Sequence, residues 1–175
     1  APKRCGHTRG KDIVGREEAF DRVKAAVDAR AGGLDIAIMA RTDANHTHGL
    51  NEAIARAQTF KALGADIIFV EAPKSVVEMQ QICADVPGCK LVNIVEGGIT
   101  PELPMNELSQ MGYGMAVYPL TLMASAMQVM ENVLDLLKQN AVRQELIMDF
   151  GELRSRVRFD AYYESVERCD SVTRE

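Results

Sequence analysis

Strand-length apolar runs alternate with stretches of helical periodicity along most of this chain. "GREEAFDRVKAAVDAR" predicts a helix with Phe20, Val23 and Val27 on one face. Glu17 and Glu18 fall in its first turn, where the helix dipole favours acids. "AGG" ends it, because glycine tolerates a left-handed stop. The run "LDIAIMARTDA" follows and finishes in Arg41, Thr42 and Asp43. A second helix is predicted from about Leu50 to Leu63, with Leu50, Ile54 and Ala57 inward. "ADIIFVEAP" is again apolar and ends in Glu71. Ser75 and Glu78 form an S-x-x-E capping box ahead of a third helix. Val76, Met79, Ile82 and Val86 would be its buried stripe, and "PGC" breaks it. "KLVNIVEGG" carries Asn93 and Glu96. A short helix from Met105 to Met111 precedes "YGMAVYPL", and a long helix is expected from about Leu120 to Lys138. Gln144 to Cys169 reads as two short helices anchored by Phe150, Phe159, Tyr162 and Tyr163.

The unit strand–helix thus recurs, with strands expected to start near 36, 67, 90 and 115. Such alternation argues for a parallel sheet covered by helices. The runs are continuously apolar, as when both sheet faces are buried. No G-x-G-x-x-G follows any of them, so a dinucleotide fold has no motif behind it. The alternative is a (β/α)8 barrel, of which four units are half. An open half leaves two parallel edges unpaired. The chain therefore needs a partner segment or forms an open sheet of its own. Residues 1–139 are expected to form the opening loop and half barrel, and 140–175 a helical extension.

Polar groups gather at the carboxyl ends of these runs: Arg41, Glu71, Asn93 with Glu96, and Tyr118 before Pro119. In parallel α/β folds that end is where sites are built. An arginine there offers a planar fork for carboxylate or phosphate. A glutamate can accept a hydroxyl proton or hold the arginine, and an asparagine amide donates and accepts. Together they suit a small polyanionic acid. Taken singly, Arg41 and Glu71 are a rim salt bridge; four polar strand ends at one mouth favour a site.

Composition narrows the class. The chain has 175 residues, 47 % of them apolar, with a net charge of −5. That is one domain by length, and no general nucleic-acid surface. No run reaches the ~18 apolar residues of a membrane span. Cys5, Cys83, Cys89 and Cys169 form no C-x-x-C pair, which fits a reducing, cytoplasmic setting. His46 and His48 lack a neighbouring third ligand and read as a solvated loop. The helix from Leu120 is apolar around most of its circumference to Met130, which favours an oligomer contact. The opening "PKRCGHTRGK" places Cys5 among Lys3, Arg4, Gly6 and His7. Positive neighbours favour the thiolate, and Gly6 and Gly10 would let the loop swing as a lid. The chain opens without Met inside this loop, so a preceding segment is expected.

"PKRCGH", "MARTDA", "FVEAP", "NIVEGG-TP" and "YPL", in that order, resemble the isocitrate lyase/phosphoenolpyruvate mutase superfamily. Its short members, among them methylisocitrate lyase, dimethylmalate lyase, the petal death protein and carboxyphosphonoenolpyruvate phosphonomutase, are the nearest in look. The resemblance implies a (β/α)8 TIM barrel of which this chain supplies strands 5–8. "PKRCGH" then corresponds to the gating loop after the fourth strand. Cys5 matches the gate acid/base, with Lys3, Gly6 and His7 as its substrate-closing neighbours. Arg41 matches the arginine that binds a substrate carboxylate. Glu71 and Asn93 match substrate-binding positions at the sixth and seventh strand ends, and Pro119 a pocket residue after the eighth. Val95 stands where methylisocitrate lyases tend to carry threonine, and "EGG" where they carry glutamate–phenylalanine–glycine. Both lean toward the dimethylmalate lyase or petal death branch.

The implied reaction is carbon–carbon cleavage of a small 2-hydroxy di- or tricarboxylate to a 2-oxo acid and a second acid. The implied cofactor is Mg2+ (or Mn2+), with ligands ahead of the gate loop and none assigned here. The implied assembly is a homodimer or homotetramer through the helix beginning near Leu120, the eighth barrel helix, commonly swapped between subunits. The rivals are a phosphonomutase of the carboxyphosphonoenolpyruvate type and an oxaloacetate hydrolase or decarboxylase. Outside catalysis, the rival is an inactive fragment or assembly subunit.

Overall fold

The computed structural model describes residues 12–172. Four parallel strands run in the order β1 (Met39–Thr42), β2 (Ile67–Val70), β3 (Cys89–Asn93) and β4 (Met115–Val117). Helix α1 (Arg16–Ala31) precedes β1, and α2 (Ala44–Thr47) and α3 (Leu50–Ala62) join β1 to β2. Helices α4 (Val76–Asp85) and α5 (Met105–Met111) make the next two crossovers. The compact unit that contains the sheet ends at Thr121, and a second unit starts at Leu122.

Strand alternation sorts side chains onto two faces. Ala40, Ile68 and Val70 turn toward the helices and pack with Ala53, Ile54, Ala57, Phe60 and Ile82. Val92 and Ile94 do the same with Met79, Leu108 and Tyr113. The opposite face carries three register rows, related by Met39↔Ile67↔Cys89, Arg41↔Phe69↔Leu91↔Met115 and Asn93↔Val117. Met39 and Met115 on that face are exposed. A parallel sheet normally buries both faces, so this one presents an apolar surface suited to further barrel wall.

The first strand begins at Met39, later than the expected 36. The Asp66 carboxylate accepts the Ile38 amide at 2.8 Å and pairs with Arg30. That contact takes the chain into the ladder only after Ile38, so Leu34 and Ile36 stay exposed. At α4 the Ser75 half of the capping box forms, Oγ accepting the Glu78 amide at 3.2 Å, while the Glu78 carboxylate accepts the Lys74 amide. Met79, Ile82 and Val86 are buried, but Val76 is exposed and lines an open groove with Leu103 and Met111. As the first helical residue, Val76 lies at the rim, short of the sheet.

The second unit takes in most of α6 (Thr121–Lys138), with α7 (Phe150–Arg156) and α8 (Phe159–Val172). Asp149 caps α7 by accepting the Gly151 amide at 2.8 Å. No α6 residue is buried, and Leu122 is 85 % exposed. The expected aromatic anchors are also exposed; Phe159 and Tyr163 stack on each other at 6.2 Å.

A charged cluster ties the start of α1 to α3. Glu52 accepts Arg56 Nε at 2.7 Å and Arg16 Nε at 2.9 Å. Arg56 is buried and also donates to the Val14 carbonyl at 2.9 Å. The Arg16 hydrogen bond, helped by Arg56, holds the Glu52 carboxyl down at about 2, from an ordinary 4.5. A depressed carboxyl stabilises the fold fully above its unfolded value, and that support is lost as pH falls from about 4.5 toward 2. Glu52→Gln is expected to lower stability at pH 7 by about 1–3 kcal/mol, with a smaller deficit at pH 3. Urea unfolding at the two pH values checks this; equal deficits would contradict it.

Candidate active site

The site grows from the carboxyl ends of β1, β2 and β3. Arg41 lies on the open face, and its guanidinium sits 4.9 Å from the Phe69 ring centroid on the neighbouring strand. Asp43, two residues on and therefore on the same face, takes it bidentately, Nε–Oδ2 at 2.8 Å and Nη2–Oδ1 at 2.9 Å. Nη2 also approaches Glu71 Oε2 at 3.3 Å. The guanidinium plane is thus fixed by a fork, a ring and a second carboxyl.

Glu71 extends the ladder one step past β2, donating its amide to the Thr42 carbonyl at 3.0 Å. Its side chain is 1 % exposed. Continuing the β2–β3 offset puts Asn93 beside it. Asn93 Oδ1 is buried and has no hydrogen-bond partner among the described residues. A buried amide oxygen in that condition has a donor still to find. Arg41, Glu71 and Asn93 are therefore gathered at one mouth on one face.

The other expected positions each have their own surroundings. Tyr118 and the exposed Pro119 follow β4, and Tyr118 borders a shallow pocket with Glu102, Leu103 and Pro104. Glu96 is exposed; the hydroxyl of Thr121 hydrogen-bonds it and holds its carboxyl below the ordinary value. Gly97 has φ +70° and open space where a Cβ would sit. Lys3, Cys5, Gly6 and His7 lie outside the described residues. His46 falls in α2, with His48 just after it, and both are exposed. Cys83 is half-buried on α4, and burial pushes its thiol up, away from thiolate.

Three contributors carried no signal as single letters. Asp43 matters because it follows Arg41 by two residues and reaches its guanidinium, Phe69 because register sets it across from Arg41, and Asn45 because a turn brings Ala72 to it. Spacing along the chain could have flagged Asp43 alone.

Among the described residues, no group of three or more His, Cys, Asp or Glu side chains could hold a metal. Asp43 and Glu71 are engaged with Arg41. The described residues thus supply no ligand set of their own for the implied magnesium, whose ligands the resemblance puts ahead of the gate loop, and no chemistry is assigned through it. No helix of the described residues is long and apolar enough to cross a membrane.

A four-stranded parallel sheet with helices on one face and polar strand ends on the other has the form of one wall and mouth of an α/β barrel. The phosphoenolpyruvate phosphomutase family model matches residues 4–138, and the chain belongs to the PEP mutase/isocitrate lyase superfamily. It is 45 % identical over 139 residues to 2,3-dimethylmalate lyase of Eubacterium barkeri, covering 79 % of this chain and 48 % of that protein. It is 36 % identical over 170 residues to 2-methylisocitrate lyase of Escherichia coli K12, covering 97 % and 57 %. The crystal structure of 2,3-dimethylmalate lyase in its trigonal form superposes with a TM-score of 0.82 at 32 % identity, over 95 % of this chain and 56 % of that one. The chain therefore spans about half the length of these relatives, and its sheet is part of a (β/α)8 barrel.

Proposed function

We propose that the enzyme carrying this half barrel cleaves a carbon–carbon bond of a small 2-hydroxy di- or tricarboxylate. The products are a 2-oxo acid and a second carboxylic acid. The observation that carries the reading is the Arg41 guanidinium, held in plane by Asp43 and Phe69 beside Glu71 at the strand ends. In the cleavage, a general base of the whole enzyme takes the 2-hydroxyl proton, the hydroxyl oxygen becomes the carbonyl, the C2–C3 bond breaks and its electron pair passes to C3. That pair delocalises into the adjacent carboxylate, which gathers negative charge. A preorganised guanidinium stabilises charge that develops at a fixed place. Arg41 takes this role, Glu71 and Asn93 orient the polar groups of the substrate, and Pro119 lines the pocket. Cys5 returns a proton to C3, with Lys3, Gly6 and His7 closing the loop over the ligand.

Dimethylmalate-type substrates are favoured over methylisocitrate. The higher identity to the dimethylmalate lyase supports this, as does the bare Gly97 at the mouth. Assembly as a homodimer or homotetramer through α6 belongs to the same proposal, supported by the exposure of Leu122, Met123, Met127, Met130 and Leu134. A Mg2+ requirement and a cytoplasmic setting complete it.

The test is release of a 2-oxo acid from 2,3-dimethylmalate, citramalate and 2-methylisocitrate by the whole-length enzyme, with and without Mg2+. Turnover of at least one hydroxy acid, fastest with dimethylmalate, is expected. Turnover of oxaloacetate or a carboxyphosphonate alone would assign a rival reaction, and no turnover of any would favour a non-catalytic subunit.

A further inference from the structure

The turn after Glu71 is strained and clamped from one side. Ala72 adopts φ +54°, a left-handed conformation unfavourable for a residue with a Cβ. It is followed by Pro73, which narrows its conformational choices further. Asn45 on α2, 1 % exposed, reaches this turn. Its Nδ2 donates to the Ala72 carbonyl and to Glu78 Oε2, both at 3.0 Å. Glu78 Oε2 in turn accepts the Lys74 amide at 2.7 Å. The amide orientation is unambiguous: both partners are acceptors, so Nδ2 must face them. One buried asparagine and one carboxylate thus grip the turn on both sides of Pro73. Asn45 also lies only four residues beyond Arg41, so it joins the segment bearing the guanidinium to the segment bearing Glu71.

We propose that Asn45 is a positioning residue that holds Ala72 in its left-handed turn and thereby sets the placement of the Glu71 carboxyl against Arg41. It touches no reacting atom. Without the clamp, Ala72 relaxes toward negative φ, and the end of β2 rotates Glu71 away from the mouth. The inference rests on the lyase reading of the Arg41–Glu71 site. Its geometry can also be tested without that reading.

In the whole-length enzyme, Asn45→Ala is expected to lower kcat/KM by ~10²-fold, the scale of an ångström-sized displacement. Adding Ala72→Gly should restore most of that loss, because glycine accepts a positive φ without a clamp. A purely structural asparagine would show itself in melting temperature, with no rescue of kcat/KM by the glycine. Should Asn45→Ala not fold, the isosteric Asn45→Asp serves. It loses both donors and sets a carboxylate against Glu78, so its activity should fall at pH 8 and recover partly at pH 5, relative to the parent. Parental kcat/KM in either variant, or a double variant no better than the single, overturns the proposal. If the parent cleaves no hydroxy acid, the lyase reading alone fails, and crystal structures of parent and Asn45→Ala decide. Ala72 leaving positive φ and the Arg41–Glu71 separation widening are expected; unchanged geometry overturns the clamp.

Discussion

Arg41→Ala in the whole-length enzyme should cut kcat by about 10²–10³-fold, about 2.7–4 kcal/mol of transition-state stabilisation. The magnitude follows from preorganisation. Asp43 grips Nε and Nη2, and Phe69 lies 4.9 Å from the cation. Little side-chain freedom is then left to lose when charge develops on the substrate. Arg41→Lys should recover little, since a point charge cannot span both Asp43 oxygens or stack on the ring. The rim salt-bridge reading makes a different forecast. If Arg41 only neutralises its neighbours, its loss leaves Asp43 and Glu71 side by side, and adding Glu71→Gln should then restore turnover. Steady-state kinetics of Arg41→Ala, alone and with Glu71→Gln, separates the two. Recovery in the double variant would remove Arg41 from the chemistry.

Phe60→Ala is the largest stability effect expected, a loss of about 3–5 kcal/mol. Phe60 is 3 % exposed on α3 and meets Phe20 of α1 edge-to-face at 5.9 Å. Its cluster holds Ala53, Ala57 and Ala65 together with Ile54, Ile68, Ile82 and Val86. The alanines have few side-chain atoms with which to fill a cavity and the β-branched residues are stiff at χ1, so the full penalty should appear. The edge-to-face pair adds to it. A urea midpoint shifted by less than about 1 kcal/mol equivalent would show that α1 and α3 can close the gap. Phe60 lies on the helix side of the sheet, so kcat of the folded fraction should remain within twofold of the parent.

Much of the architecture was legible because a parallel α/β chain writes its periods plainly. The β2 and β4 runs start at 67 and 115 as expected, and α6 begins within one residue of Leu120. The boundary of β1 was not legible. Leu34 and Ile36 are as apolar as Met39, and what delays the strand is a long-range contact from Asp66 and Arg30. Val76 misled for a related reason. It keeps the helical period, but it sits at the first turn, where the sheet no longer lies beneath it. Phe159, Tyr162 and Tyr163 near the tail had the size of core anchors, yet they pack on one another.

The site divides in the same way. Sequence by itself determined the parallel strand–helix order, the superfamily, and the placement of Arg41, Glu71 and Asn93 at the carboxyl ends of three strands. Hydrophobic period and motif order are local properties of a chain, and these conclusions need nothing more. Only the tertiary structure decided that Asp43 and Phe69 orient Arg41, that Glu71 lies beside it, and that Asn45 grips the turn at Ala72. Apart from the Arg41–Asp43 fork, two residues apart, those relations span 27 to 30 residues between adjacent strand ends. They are set by the register of a parallel ladder and by one left-handed residue, and neither is encoded in the period of any single segment.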